Sequence, residues 1–397
     1  MTDLRVPSEE HRDQVANVMR VSLNLEKGFI DHRAPTLPLE RFRCAFEGER
    51  VLGVAAERRF RQRFGGRELA MCGIWGVGTL PEHRGSGIAS LAVGRLLREA
   101  REDGVPLTAL YPATVRPYRG LGYELAGTYT EHRVPFDDLP RGGGPLPVIE
   151  YDPATDLDAV RACYRRAMEP HNGPIDCDDL DWWRDRIMGN RNPDEHQRAV
   201  VARGADGEVE GYASFVYERD QGELDISFRL SCTHFIASSL DGVASLLAYF
   251  RGFRGLGQTL EFSGPPADPL ALLVEEQRVK PAWTFRWMLR LLDVPAALEG
   301  RGYPPVSGEA VIEIEDGLFP DNRGPWRIAA DGGKVIVSPA DGADARPIPI
   351  GTFSSIYSGF VSPYDAARLG LLDGDDPALP VLAQLFAGPA PFMLDWF

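Results

Sequence analysis

The sequence has little of what marks several large classes of protein. Its five cysteines are scattered over 397 residues, and no two form a Cys-x-x-Cys pair. This pattern excludes a disulfide framework and a cysteine-based metal site, so we expect free, buried thiols and no metal cofactor. No window approaches ~18 uninterrupted apolar residues, and the first residues form no apolar signal segment. We therefore expect a cytoplasmic protein without a membrane span.

Positive charge is also scarce. Lysine and arginine number 43 against 58 acidic residues, which gives a formal net charge of −15. This balance argues against a nucleic-acid partner, because such binders concentrate positive charge on one surface. The acidic balance is compatible with a cationic substrate such as an amine, and solubility alone is the other explanation.

The chain is too long to fold around one ordinary hydrophobic core. A linker composition, Arg-Gly-Gly-Gly-Pro-Leu-Pro, occupies residues 141–147. Residues 148–295 repeat the strand–strand–helix order of residues 1–140, and residues 305–397 form a smaller α+β pattern. The sequence thus predicts three domains with these bounds and a mixed α/β, α+β fold.

The first domain begins with a short predicted strand at Leu4–Val6, followed by a helix that Ser8 caps and that runs to about Leu23. Residues 24–33 are interpreted as a loop. An antiparallel meander follows over residues 43–75, with a Gly65-Gly66 hairpin turn. A separate strand at Gly76–Leu80 then precedes a polar loop, a helix over residues 88–101 and a strand over residues 107–111.

The loop between that strand and helix reads Arg84-Gly-Ser-Gly-Ile-Ala89. Small residues let backbone N–H groups converge on anionic oxygens, and the helix N-terminus adds its positive dipole end. No Gly-Lys-Ser/Thr follows, which excludes a nucleotide P-loop, and an antiparallel meander precedes the loop, which argues against a Rossmann fingerprint. A glycine-rich helix start is common, so the strand–loop–helix context gives this motif its weight.

Further along, Arg116-Pro-Tyr118-Arg-Gly-Leu-Gly-Tyr123 contains a candidate acid. A tyrosine with a pKa near ~10 is suited to protonate a leaving thiolate. The alternative interpretation is that Tyr118 and Tyr123 only cover a buried helix.

The Arg-x-x-Gly-x-Ala spacing after a strand resembles the coenzyme A loop of the GNAT N-acetyltransferases. The resemblance implies acetyl-CoA as co-substrate and Tyr118 as general acid. It also implies a splayed strand edge that pairs with the pantetheine arm, where Gly76 and Gly78 would leave room for the ligand. The implied cofactor residues are Val77, Gly78, Thr79, Arg84, Gly85, Ser86, Gly87, Ile88, Ala89, Ser90, Ala113 and Thr114.

The three-part plan resembles the Eis (enhanced intracellular survival) acetyltransferases over essentially the whole chain. The resemblance implies tandem GNAT folds, the second degenerate, followed by a domain similar to sterol carrier proteins. It further implies a homohexamer that acetylates aminoglycoside or lysine amines, with the α-carboxylate of the last residue, Phe397, as base. On packing grounds, Trp396 and Phe397 could instead simply anchor the chain end.

The chain departs from this family in the loop and at the terminus. Gly85 and Ser86 stand where close relatives tend to carry arginines, so phosphate contacts would depend more on the backbone. Trp396 replaces an acid before the last residue, which places the family's acceptor in doubt. Glu26 and Asp31 are candidates for an amine pocket, with solvated loop charges as the alternative.

The sequence is compatible with two functions. The first is an acetyl-CoA-dependent N-acetyltransferase in which a small-molecule amine, a polyamine or a lysine attacks directly in a ternary complex. The second is a non-catalytic GNAT scaffold that binds a coenzyme A ester or a hydrophobic ligand.

Overall fold

The computed structural model describes residues 3–189, 197–219, 226–342 and 346–397. The chain divides into two compact units. The first unit comprises Met1–Gly127, Arg286–Pro391 and Trp396–Phe397, and the second comprises Thr128–Phe285 and Phe392–Asp395.

Helices and strands are interspersed along the described ranges. Residues 3–135 contain β1 Asp3–Arg5, α1 Arg12–Leu23, α2 Lys27–Arg33, β2 Phe42–Glu47, β3 Arg50–Phe64, β4 Arg67–Thr79, α3 Ile88–Glu102, β5 Leu107–Leu110, α4 Arg116–Arg119 and β6 Glu124–Pro135. Residues 148–291 contain β7 Val148–Glu150, α5 Leu157–Met168, β8 Ile175–Asp176, α6 Leu180–Met188, β9 Gln197–Arg203, β10 Val209–Arg219, β11 Phe228–Ala237, α7 Leu240–Arg251, β12 Gly257–Gly264 and β13 Lys280–Leu291. Residues 294–385 contain α8 Val294–Gly300, β14 Gly308–Glu315, β15 Gly324–Asp331, β16 Lys334–Pro339, β17 Ile348–Pro349, α9 Ile350–Ser358, α10 Pro363–Arg368 and α11 Leu379–Leu385.

The first unit contains a twisted sheet in the order β1-β2-β3-β4-β5, with the end of β13 beside β5. Its strands are antiparallel except for the β4–β5 pair, which is parallel. Helix α1 buries Val15 and Val18 with Phe42 in one apolar cluster, and α3 buries Val93 and Leu97 in another. The sheet is therefore covered by helices on both faces, as expected where parallel strands are buried.

The predicted hairpin at Gly65-Gly66 is confirmed. Both glycines have positive φ, 58° and 80°, which is the geometry of a two-residue turn whose twist matches its strands. The predicted break before Gly76 is wrong, because β4 runs without interruption to Thr79. The predicted loop over residues 24–33 is also wrong, since α2 occupies Lys27–Arg33.

The C-terminal part of the first unit adds a small sheet in the order β16-β15-β14-β17. A buried ion pair joins this part to β13: Arg290 Nη2 lies 2.7 Å from both carboxylate oxygens of Asp316. The pairing lowers the pKa of Asp316 against the opposing effect of burial, so the carboxylate stays charged beside its arginine.

The second unit repeats the plan of the first. Its strand order is β6-β12-β11-β10-β9-β7, and β11–β12 is its parallel pair. Helices α5 and α7 pack against β10 and β11. The predicted strand–strand–helix repeat is confirmed. All five cysteines of the chain are free and buried, also as expected, and no described helix has the length and apolar character needed to cross a membrane.

Candidate functional site

Strands β4 and β5 separate before β4 ends. Their parallel register runs from Met71–Leu107 to Ile74–Leu110 and stops there, five residues before the end of β4 at Thr79. A parallel pair that separates in this way presents one strand edge to solvent or to a ligand. The open edge lies at Val77–Thr79, where the resemblance implied a splayed strand.

A β-bulge at Gly76 produces the bend in β4. Gly78 pairs with Val54 and Trp75 with Ala56, so two residues of β4 oppose the single residue between them on β3. Gly76 has φ of 59°, the left-handed conformation that a glycine adopts without steric cost. The bulge redirects the last residues of β4 away from β5.

A glycine is required at position 78 for a reason other than the predicted one, which was space for a ligand. A Cβ at this position would lie 2.7 Å from Cβ of Ser22 on α1. The Ser22 hydroxyl also donates to the carbonyl of Thr79 at 3.0 Å. The absence of a side chain at Gly78 therefore allows helix α1 to pack closely against β4. This packing accounts for the glycine without the predicted explanation, which was that it makes room for a ligand.

The polar loop predicted to bind phosphate leads directly into α3. Gly85 and Gly87 have φ of 79° and 82°, and a Cβ on either would meet no atom within 4 Å. Gly87 is the N-cap of α3, and within the described part of the chain no side chain caps this helix. The N–H groups of the first turn thus remain available to an anion, with the helix dipole aligned to favour it.

The side chains around this loop divide into buried and exposed sets. Ile88 is buried, and its side chain fills the space over Gly53. Arg84 is exposed, and Ser86 donates its hydroxyl to the carbonyl of His83 at 2.6 Å. A ligand at this loop would therefore meet the backbone first.

Tyr118 lies on the short helix α4 and packs against the same apolar cluster as Val77, α3 and β5. Burial raises the pKa of Tyr118 to about 12, because the phenolate is disfavoured away from water. The phenol therefore stays protonated at neutral pH. Tyr123 differs, since its hydroxyl is engaged with Thr108 at 2.7 Å in the interior.

The end of the chain lies against the sheet of the first unit. The ring centroids of Phe397 and Phe60 are 5.1 Å apart. A Cβ on Gly73 would lie 2.7 Å from the Phe397 ring. Trp396 stacks on Tyr111, with ring centroids 3.9 Å apart. Gly73 pairs with Ala109, one position before the last β4–β5 pair, so the terminus lies at the point where these strands separate.

The structure brings Val77–Thr79, the loop at residues 84–90, Tyr118 and Phe397 onto one unit. Ala113 and Thr114 are exposed in the segment that follows β5. Glu26 precedes α2 as its N-cap, and Asp31 is exposed within that helix.

Sequence reasoning missed Gly73 and Tyr111 as partners of the terminus. A glycine inside a strand marks a close approach of another group, and that signal was present at Gly73.

Comparison with protein families assigns all three parts of the chain. Residues 3–126 match the acetyltransferase (GNAT) domain, and residues 178–291 match a second acetyltransferase (GNAT) domain. Residues 294–394 match the sterol carrier protein domain.

Individual relatives agree with this assignment. An uncharacterized N-acetyltransferase of Streptomyces coelicolor is 28% identical over 315 residues, 75% of this chain and 74% of that protein. N-acetyltransferase Eis of Mycobacterium tuberculosis is 26% identical over 330 residues, 79% of this chain and 77% of that protein. The crystal structure of a GCN5-related N-acetyltransferase from Anabaena variabilis is 27% identical and covers all of both chains with a TM-score of 0.93.

The chain is thus an acetyltransferase of the GNAT class, with two GNAT domains followed by a sterol carrier protein domain. Its similarity to N-acetyltransferase Eis over 79% of the chain confirms the predicted resemblance to the Eis-type N-acetyltransferases.

Proposed function

We propose that this protein transfers an acetyl group from acetyl-CoA to a primary amine by direct attack within a ternary complex. The observation that carries the proposal is the separation of β4 from β5 after Ile74–Leu110, with the last ring of the chain packed over Gly73 at that point. The open strand edge, the free helix N-terminus, a protonated phenol and a chain terminus all belong to one unit.

The residues of the loop fit a diphosphate. The N–H groups of Gly87, Ile88 and Ala89 begin an uncapped helix, and the conformation of the loop depends on two glycines with open space around them. The edge of β4 over Val77–Thr79 offers backbone groups to an extended amide chain, as an added strand would use them. When bound, acetyl-CoA supplies the activated acetyl group as a thioester.

Tyr118 assists the departure of the thiolate. A thiol has a pKa near ~8.5, well below the value of about 12 for Tyr118. Complete proton transfer from this phenol to the thiolate is therefore uphill. Tyr118 acts chiefly as a hydrogen-bond donor to the developing negative charge, a role for which a firmly protonated group is suited.

The carboxylate of Phe397 receives the amine. An acceptor amine arrives as an ammonium and must lose a proton before it attacks. An α-carboxylate has a pKa near ~3.5, so beside the strand separation it acts first by attracting the ammonium. It accepts a proton, directly or through water, as formation of the new C–N bond makes the nitrogen acidic. The packing of the Phe397 ring against Phe60 supports a defined position for this group.

The acceptor class is a compact or flexible amine: a polyamine, an aminoglycoside or a lysine side chain. The chain's net charge of −15 favours association with such cations. Glu26 and Asp31 are exposed on the α2 region, and Trp396 is half-buried beside the terminus, so these residues are our candidates for acceptor contacts.

The test is an acceptor screen with acetyl-CoA that detects the released thiol. We expect thiol release that depends on the amine and a strong loss of turnover in Tyr118→Phe. Absence of calorimetric binding at about 1 mM acetyl-CoA would reject the enzyme. Binding without turnover on any amine would support the non-catalytic scaffold instead.

We also propose, from the family, that the protein works in the cytoplasm as a homohexamer. Light scattering should then give the mass of six 43.8 kDa chains. A monomer or dimer at micromolar concentration would contradict this assembly.

A further inference from the structure

The second unit contains its own strand separation, at the position that corresponds to the one in the first unit. The parallel register of β11 and β12 ends at Ser231–Glu261, six residues before the end of β11 at Ala237. On their far sides both strands remain paired: Tyr212 of β10 opposes Ile236, and His132 of β6 opposes Phe262. Only the edges that face each other are separated.

A cavity of about 570 Å³ lies at this separation. Its walls come from the ends of β11 and β12, the first turn of α7 and the segment after β12. The lining is mostly apolar, with Phe235, Val243, Leu270 and Phe392 among its residues. The volume lies within the range of pockets that hold small molecules.

This cavity is unsuited to the diphosphate of coenzyme A. Helix α7 has a side-chain cap, because Ser239 Oγ accepts from the N–H of Gly242 at 3.0 Å. The same hydroxyl donates to the Glu210 carboxylate at 2.5 Å, which brings a negative charge to the helix N-terminus. An anion would lose the free N–H groups that α3 offers and would meet this charge.

We propose that the second GNAT domain binds an uncharged, mostly apolar chain that carries an amide, such as a fatty acyl amide, in the cavity between β11 and β12. The apolar walls of the cavity suit the hydrocarbon chain of such a ligand. The separated strand edges supply backbone donors and acceptors for the amide. The Ser239 cap, whose hydroxyl is bonded to Glu210 just outside the lining, disfavours anionic ligands. This site is distinct from the acetyl-CoA site proposed in the first unit and does not depend on it.

Calorimetry of the full chain with N-methyldecanamide tests the proposal. We expect micromolar binding that persists in saturating acetyl-CoA and is at least tenfold tighter than the binding of decanoate, whose carboxylate Glu210 disfavours. No binding at about 1 mM, displacement by acetyl-CoA, or equal binding of decanoate would each overturn the proposal.

A pair of neighbouring variants locates the ligand. Val243 lines the cavity, whereas Ala244, the next residue of α7, does not. Val243→Trp should fill the cavity and weaken N-methyldecanamide at least tenfold, while Ala244→Trp should leave its Kd within about twofold. Equal effects of the two substitutions would contradict the proposed location.

A measurement on the unmodified chain covers the case in which Val243→Trp does not fold. A diazirine analogue of the decanamide should label peptides that contain residues 235–243 or 262–273 after irradiation. Labelling confined to the first unit would overturn the proposal.

Discussion

His234 Nε2 lies 3.0 Å from Asp395 Oδ1, and both side chains are buried inside the second unit. Tyr212 completes the contact from the other side, with its hydroxyl 2.9 Å from His234 Nδ1. Arg186 Nε lies 3.4 Å from the same Asp395 oxygen. The chain is thus fixed two residues before its end by a buried charged group.

Asp395→Asn should therefore destabilise the protein and disturb the terminus. Loss of the buried charge weakens the pairs that Asp395 makes with Arg186 and His234, at a cost of about 2–4 kcal/mol. The kcat should fall more than the KM for acetyl-CoA changes. The measurement is the urea midpoint together with steady-state kinetics. Glu309→Gln is the control, because its pair with Arg327 is half-exposed and contributes about 0–1 kcal/mol. Equal losses in both variants would contradict the anchoring role of Asp395.

Tyr118→Phe should lower kcat by about 100- to 10,000-fold and leave the KM for acetyl-CoA within about twofold, since the phenol is needed only as the thiolate develops. The control is Tyr123→Phe, which also removes a phenol hydroxyl, in this case one that is hydrogen-bonded to Thr108. That variant should lose about 1 kcal/mol of stability and little activity. If Tyr123→Phe is the slower enzyme, the assignment to Tyr118 is wrong.

The alkaline side of the pH profile should show no descending limb. Burial disfavours the phenolate, so the pKa of Tyr118 rises to about 12 and its acid form persists far above neutral pH. kcat/KM should increase with pH as the acceptor loses its proton, and it should show no decline up to about pH 10.5. Circular dichroism at each pH provides the control for unfolding. A descending limb near pH 9 that disappears in Tyr118→Phe would oppose this expectation.

The charge of the terminus can be removed without a change in size. Replacement of the Phe397 carboxylate by a carboxamide, through peptide ligation, should lower kcat at least about 100-fold and leave the melting temperature unchanged. Ligation of the unmodified acid is the matched control. Full activity of the amide would eliminate the carboxylate as base.

Gly87→Ala should raise the KM for acetyl-CoA at least tenfold. Its φ of 82° is strained for alanine, at a cost of about 1 kcal/mol, and relief of that strain would move the N–H groups at the start of α3. Gly370→Ala is the control, because φ there is 72° and the residue lies in open space away from the loop. It should lose similar stability without a change in KM. A comparable rise in KM for both variants would show that strain alone is responsible.

Local features of the site were predictable because their signals are local. Glycines at 85 and 87 before an amphipathic segment predicted the loop and α3, and the tandem fold followed from the repeated order of strands and helices. Helix α2 was missed because seven residues are too short to show a helical period. Ile30 is its one buried residue, so packing rather than pattern determines it.

Long-range relationships were harder to predict. From the sequence, Gly76 predicts a break between two strands. In the structure β4 continues through the bulge because its residues on both sides of Gly76 pair with β3. The stacking of Trp396 on Tyr111 joins residues 285 positions apart, and no periodicity connects them. The cavity of the second unit depends on where a strand register ends, which composition does not encode.

The contact of Phe397 with Gly73 also has a consequence for biosynthesis. The two residues are 324 positions apart, so at 5–20 residues per second roughly 15 to 65 seconds separate their synthesis. Strand β4 must therefore wait that long before the Phe397 ring can pack against it. A chain truncated before residue 397 therefore lacks this packing against Gly73.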